Sequence, residues 1–124
     1  MAIAQQYDAH IIHAYASLLY DMGAGEDALR YVDEAIAGAP DVPNFWQTKI
    51  ALTNALFANN PTKIESVYRE GIRATKDDVD LLTLYASYLG SHGRPAEAIQ
   101  YWRQAADKNP KAKDVYESEI EALQ

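Results

Sequence analysis

Apolar residues recur every three or four positions along the whole chain, which is the pattern of amphipathic helices. Most of these apolar stretches end at glycine, asparagine or proline, residues that interrupt helices. We therefore expect seven helices joined by short connections, and no strand. The first expected helix ends where Gly23 and Gly25 break it. The next ones span 26–37, 43–58 (capped by Asp41 or Asn44) and 62–74. The fifth runs from a cap at Asp77 or Asp78 to Gly90–Gly93, the sixth from Arg94 to Asn109, and the last spans 113–123.

This pattern repeats after 70 residues. The segment Tyr15–Leu19 returns as Tyr85–Leu89. The residues that follow match at the same offset: Gly23 with Gly93, Ala28 with Ala98, Ala35 with Ala105 and Pro40 with Pro110. Self-similarity at a fixed period indicates a helical repeat array. The two copies therefore predict two similar helix pairs with a divergent pair between them.

Residue size predicts how these helices pack. Alanines let two helices approach closely, and the predicted contacts are Ala16 with Ala28 and Ala86 with Ala98. Gly23 and Gly93 stand where the chain reverses, a place that favours positive φ. Aromatic side chains at the core positions are expected to be buried: Tyr15, Tyr68, Tyr85, Tyr101 and Trp102. By contrast, Phe45 and Trp46 are candidates for exposure at an interface.

Both copies resemble the tetratricopeptide repeat. The run 80–110 matches at Ala86, Leu89, Gly93, Ala98, Trp102, Ala105 and Pro110, and the run 10–40 at Ala16, Leu19, Gly23, Ala28, Ala35 and Pro40. The middle run 44–76 keeps Trp46, Ala51, Tyr68 and Gly71, but has Ile64 for the packing alanine and Lys76 for the terminal proline. Its segment Ile64–Gly71 is also similar to the half-a-TPR repeats of RNA-processing factors. The tetratricopeptide resemblance implies one all-α domain, a right-handed α-solenoid with units at 9–42, 43–77 and 78–111 and a capping helix at 112–124.

The resemblance also implies a function. In that family the first helices of the pairs line a concave groove that holds a peptide or helix of a partner protein. The positions carried over onto this chain are His10, His13, Ser17, Tyr20, Thr48, Lys49, Leu52, Asp80, Thr83, Leu84 and Ser87. A non-enzymatic protein–protein interaction module is therefore expected. The alternative is an assembly role, in which the array self-associates or forms part of a larger scaffold such as a bacterial envelope or secretion complex. In that case Ile3 and Tyr7, which continue the apolar stripe of the first helix, would contribute to assembly.

Composition limits the ligands and reactions that the chain could support. The net charge is -7, which disfavours nucleic acid because phosphate binding needs clustered Lys and Arg. The absence of cysteine excludes thiolate metal sites and cysteine nucleophiles. His10 and His13 share a helical face but supply only half of a metal site. No nucleophile motif accompanies the serines. We therefore expect no cofactor, metal or catalytic residue.

The last helix is expected to cap the array, because a terminal repeat otherwise leaves an apolar face uncovered. Its inward residues would be Val115, Tyr116, Ile120 and Leu123. No apolar stretch is long enough to span a bilayer, and the N-terminal residues do not form a signal peptide. The expected location is the cytoplasm, or the periplasm if a targeting segment has been removed.

Overall fold

The computed structural model describes the backbone of residues 2–124 and the side chains of residues 8–124. Within that range the structure is all helical, and no strand is present. The helices are α1 (Ala2–Asp21), α2 (Gly25–Gly38), α3 (Pro43–Leu56), α4 (Pro61–Ala74), α5 (Val79–Ser91), α6 (Pro95–Lys108), a 3-10 turn (Pro110–Ala112) and α7 (Lys113–Leu123). The all-α class and the predicted order of helices are confirmed. The expected contribution of Ile3 and Tyr7 concerns side chains outside the described ones.

The helix ends follow local chemistry. The side chain of Asn60 accepts a hydrogen bond from the Lys63 amide, and that of Asp78 accepts one from the Leu81 amide, each 3.2 Å long. Such caps satisfy amides that have no partner inside the helix. At α3 the predicted caps were wrong: Val42 holds the N-cap position without a side-chain bond, and Pro43 follows it. Proline needs no amide partner there, so this helix starts without a polar cap.

The chain forms two compact units, residues 1–76 and 77–124. In the first unit each helix packs on the next one along the chain, and α1 also contacts α3. Its core includes an apolar cluster of Ala9, Ala35, Ala39 and Phe45 and another of Ala16, Ala28, Val32 and Leu52. Because most of the α1 and α2 members are alanines, those helices pack closely, as the sequence predicts.

The divergent pair α3–α4 packs around Trp46. Its indole Nε1 donates a 2.7 Å hydrogen bond to the Pro40 carbonyl oxygen. A Cβ atom on Gly71 would lie 3.1 Å from the indole ring, so glycine lets α4 approach the ring closely. Phe45 and Trp46 are 0% and 6% exposed. The prediction that these two residues are exposed at an interface was therefore wrong, because both fill the core of this unit.

In the second unit α5 packs on α6, and α6 packs on α7. Ala86 and Ala98 are fully buried, and the Tyr85 and Tyr101 rings lie 4.8 Å apart. The Tyr116 ring of α7 lies 5.9 Å from the Trp102 ring, and its hydroxyl accepts a hydrogen bond from the side-chain Nδ2 of Asn109. Tyr116 and Ile120 are buried as predicted, but Val115 is 62% exposed. The inward placement of Val115 was wrong, since the helix turns about 100° per residue and Tyr116 occupies the inner face.

Both turns that the repeat pattern marked have the expected backbone. Gly23 and Gly93 have φ values of +84° and +75°. This left-handed conformation costs other residues roughly 1–2 kcal/mol. The similar backbone of the α1–α2 and α5–α6 turns confirms that the two copies in the sequence form the same kind of turn.

Candidate functional site: the α1–α3 cleft

A cleft of about 380 Å³ opens between α1 and α3 in the first unit. The α1 side is lined by His13, Ser17, Tyr20 and Asp21, and the α3 side by Asn44, Gln47, Thr48 and Ala51. These residues recur at three- and four-residue spacing, so each helix presents one continuous face. Apart from Ala51, every lining side chain carries a hydrogen-bonding group. We refer to this surface as the α1–α3 cleft.

One polar chain joins the two walls of the cleft. The Nε2 atom of His13 lies 2.8 Å from Thr48 Oγ1, and that hydroxyl donates a 3.1 Å bond to the Asn44 carbonyl oxygen. The hydroxyl has one hydrogen, so the arrangement fits a His13 Nε2–H that donates to Thr48. This chain of bonds fixes the spacing of α1 and α3 at the floor of the cleft.

The Phe45 ring packs against the two histidine rings of α1. Its buried ring lies 4.7 Å from the His13 ring and 5.0 Å, edge to face, from the His10 ring. Burial lowers the pKa of His13 below its usual value of 6.5, and the neighbouring His10 lowers it further. His13 is therefore neutral near pH 7, which suits hydrogen bonding rather than charge pairing in the cleft.

The His13 pKa predicts a pH effect on stability. The unfolded chain keeps the ordinary pKa, so between the lowered value and 6.5 it binds more protons than the folded chain. The contribution of neutral His13 is thus complete above pH 6.5 and is lost as the pH falls toward the folded-state pKa. Urea unfolding at pH 7, 6 and 5 should show a steeper loss for the native chain than for His13→Gln. Parallel pH profiles would contradict the assignment.

The predicted groove residues of the first unit divide into two groups. The cleft brings together His13, Ser17, Tyr20 and Thr48, and His10 is exposed beside Phe45. Lys49 and Leu52 were placed wrongly. Leu52 is fully buried with Val32, and the Lys49 ammonium lies 2.7 Å from the Asp33 carboxylate of α2. A one-residue step from Thr48 turns the side chain by about 100°, so Lys49 faces α2 instead of the cleft.

Four lining residues were missed by the sequence analysis: Asp21, Asn44, Gln47 and Ala51. Three of them lie on α3, at positions one, three or four residues from Thr48. Helical periodicity around Thr48 was therefore a signal that could have found Asn44 and Ala51. Gln47 and Asp21 lie at the margins of the two faces, and only the packing of the helices decides whether such residues border a cleft.

The remaining predicted residues lie on α5, in the second unit. Asp80, Leu84 and Ser87 are exposed, and Thr83 is half-buried, with its hydroxyl donating to the Asp80 carbonyl oxygen. Their spacing places them on one side of α5. They stay a prediction as binding residues. Among the described residues no cluster of three or more His, Asp or Glu side chains is arranged to hold a metal ion.

Several solved structures resemble this chain, including PilF and YrrB. PilF of Pseudomonas aeruginosa has a TM-score of 0.72 and 14% sequence identity over 97% of this chain and 54% of PilF. YrrB, a TPR protein with an unusual peptide-binding site, has a TM-score of 0.59 and 18% identity over 80% of this chain and 50% of YrrB. The fold is that of a tetratricopeptide-repeat protein.

At these identities the likeness concerns the fold alone. This chain spans about half the length of each of the two proteins. No protein-family model and no curated protein matches its sequence. Of the helices in the part of the chain that the structure describes, none has the length and apolar character needed to cross a bilayer.

Proposed function

We propose that this chain is a non-enzymatic protein–protein interaction module whose α1–α3 cleft holds an extended peptide segment of a partner protein. The observation that carries the proposal is that hydrogen-bonding side chains of α1 and α3, the first helices of their pairs, line the cleft. The tetratricopeptide-repeat fold supports it, because stacked helical repeats build extended binding surfaces. YrrB, which shares the fold, is a protein with a peptide-binding site.

The chemistry of the cleft favours a peptide backbone as the ligand. Asn44 and Gln47 each carry an amide donor and an amide acceptor, which can pair with the C=O and N–H groups of an extended chain. The volume of about 380 Å³ falls within the range of roughly 300–1,000 Å³ that is typical of ligand sites. It suits a few residues of an extended segment. The carboxylate of Asp21, at the end of α1, favours a basic residue at that end of the peptide.

A matched pair of substitutions tests this site. Ala51 lines the cleft, while Ala122 is an exposed alanine of α7, in the second unit. Peptides of 12 residues selected from a random library on the native chain should bind Ala51→Arg at least about tenfold more weakly, a loss comparable to that of one interface hot spot. Binding to Ala122→Arg should be unchanged. Arginine is a good helix former, so both variants should fold.

Two outcomes would contradict the proposal. One is a library that yields no peptide with measurable affinity for the native chain. The other is a set of selected peptides that bind Ala51→Arg and the native chain equally, because arginine at that position fills the cleft. Thermal unfolding followed by far-UV circular dichroism establishes that both variants are folded.

A further inference from the structure

A second surface lies on a different side of α1. Ile11, Tyr15, Leu18 and Met22 are 54%, 48%, 53% and 71% exposed. Their spacing of four, three and four residues places them on one side of the helix and of the turn that follows it. Tyr15, predicted to be a core residue, instead contacts Tyr31 edge to face at 5.1 Å and is half exposed. We call these four residues the outer face of α1.

The same positions are covered in the next repeat of the same unit. Thirty-four residues later α3 carries Phe45, Lys49, Leu52 and Leu56, and α2 covers all four. Phe45 packs with Ala35 and Ala39, and Leu52 packs with Val32. Leu56 lies against Gly25, where an added Cβ would be 3.1 Å from its side chain. Asp33 of α2 pairs with Lys49.

Three of the four positions are buried in the third copy as well. At the 70-residue offset, Leu81, Tyr85 and Tyr88 are 0%, 1% and 9% exposed, whereas His92 is exposed. On α3 this face is therefore a helix-packing surface, and α2 shows what covers it: an amphipathic helix with apolar residues on one side and charged residues at the edge. On α1 that surface is open.

Charge indicates which helix fits there. The covered face of α3 carries a lysine, which the acidic Asp33 of α2 neutralises. The α1 sequence contains no lysine or arginine, and Tyr15 takes the place of Lys49. Exposed carboxylates flank the apolar residues at Asp8 and Asp21.

The charged side chains near the outer face add to this difference between α1 and α3. A cleft of about 220 Å³ between α1 and α2 is lined by Asp8 and Glu34, with an apolar floor that includes Ile12. The nearby Arg30 is paired with Asp27 at 3.1 Å and lies over the Tyr31 ring. Acidic side chains thus dominate the margin of the outer face.

We propose that the outer face of α1 docks an amphipathic helix of a partner protein, with its apolar stripe on Leu18 and its Lys or Arg side chains toward Asp8 and Glu34. A second copy of this chain is disfavoured as the occupant, because each copy carries a net charge of -7 and like charges oppose docking. The surface differs from the α1–α3 cleft, so the two proposals are tested separately.

Two synthetic peptides serve as probes, since α2 covers the equivalent face of α3. Both contain residues 24–40, are capped at their ends and carry a fluorophore. The basic probe has the substitutions Glu26→Lys, Asp27→Lys, Asp33→Lys and Glu34→Lys, and the control probe keeps the acidic residues. Fluorescence anisotropy with the full chain at low ionic strength should show binding of the basic probe and at least about tenfold weaker binding of the control probe.

Variants of the chain locate the contact. Leu18→Glu should weaken the basic probe at least about tenfold, as the loss of an interface anchor does, and Asp8→Lys should weaken it through charge alone. Val115→Glu is the control, because Val115 is a similarly exposed apolar residue of α7. Ala51→Arg should leave the basic probe unaffected, and Leu18→Glu should leave the cleft peptides unaffected, so failure of one proposal is distinguished from failure of the other.

Four results would overturn this proposal. They are equal binding of the basic and control probes, no binding of either, and unchanged binding to both Leu18→Glu and Asp8→Lys. The fourth is a dimer of the native chain, seen by light scattering, that Leu18→Glu dissociates, since the occupant would then be a second copy.

Discussion

Replacement of Phe45 by alanine should lower the free energy of unfolding of the first unit by about 3–5 kcal/mol, the usual cost of removing a buried phenylalanine. Phe45 is fully buried, packs with alanines of α1 and α2, and supports the His10 and His13 rings. Its loss would leave a cavity at the meeting point of three helices. Urea denaturation followed by far-UV circular dichroism measures the change.

Leu18→Ala is the matched control for this experiment. Leu18 is 53% exposed on α1, so its truncation removes little buried area and should cost less than about 1 kcal/mol. If Phe45→Ala proved no more destabilising than Leu18→Ala, the core of the first unit would not be organised around Phe45. The cleft would then lack the support that we assign to this ring.

Removal of α7 should have the second large effect. A chain that ends at Asn109 loses Tyr116, Ile120 and Leu123, and it uncovers Trp102, which is 8% exposed in the intact structure. Each large apolar side chain taken out of a core is worth roughly 1.5–3 kcal/mol, so the second unit should lose about 4.5–9 kcal/mol and associate through the uncovered α6. Differential scanning calorimetry and light scattering report these two consequences.

The control is Val115→Ser in the untruncated 124-residue chain. Val115 belongs to the same helix but is 62% exposed. The melting temperature of the variant should therefore stay close to that of the native chain. A truncated chain that remained monomeric with an unchanged melting temperature would show that α7 does not cap the second unit.

Local rules predicted much of the fold. The helix ends could be predicted from proline, glycine, asparagine and aspartate, because the effects of these residues on the backbone depend on few neighbours. Asn60 and Asp78 cap helices, and Gly23 and Gly93 take positive φ. The third helix ends at Leu56, two residues before its predicted end. The amide of Phe57 bonds to the Thr53 carbonyl oxygen and closes the helix there.

The orientation of helix faces was less predictable, because it depends on which helix covers each face. Tyr15 and Tyr85 occur in nearly the same local sequence, yet they are 48% and 1% exposed. Lys49 and Thr48 are neighbours, yet one pairs with α2 and the other lines the cleft. The two tyrosines have the same residue type and repeat position, and Thr48 and Lys49 are adjacent in sequence. In each case only tertiary packing explains why the two side chains differ in their surroundings.

The divergence of the middle pair also has a structural meaning. In the α3–α4 pair, Gly71 lies against the Trp46 ring, and the wall residues Asn44 and Gln47 belong to the same α3. The outer copies keep the alanine positions that set close packing of α1 on α2 and of α5 on α6. The part of the first unit that departs from the repeat therefore supplies half of the proposed binding site.

The most direct test of the central claim is a nuclear magnetic resonance titration of the ¹⁵N-labelled chain with a peptide selected from the library. The α1–α3 cleft predicts that amide shifts concentrate at Ser17, Tyr20, Asn44, Gln47 and Ala51, with little change in α6 and α7. Saturable binding with shifts confined to helices other than α1 and α3 would contradict the assignment of the cleft as the peptide site.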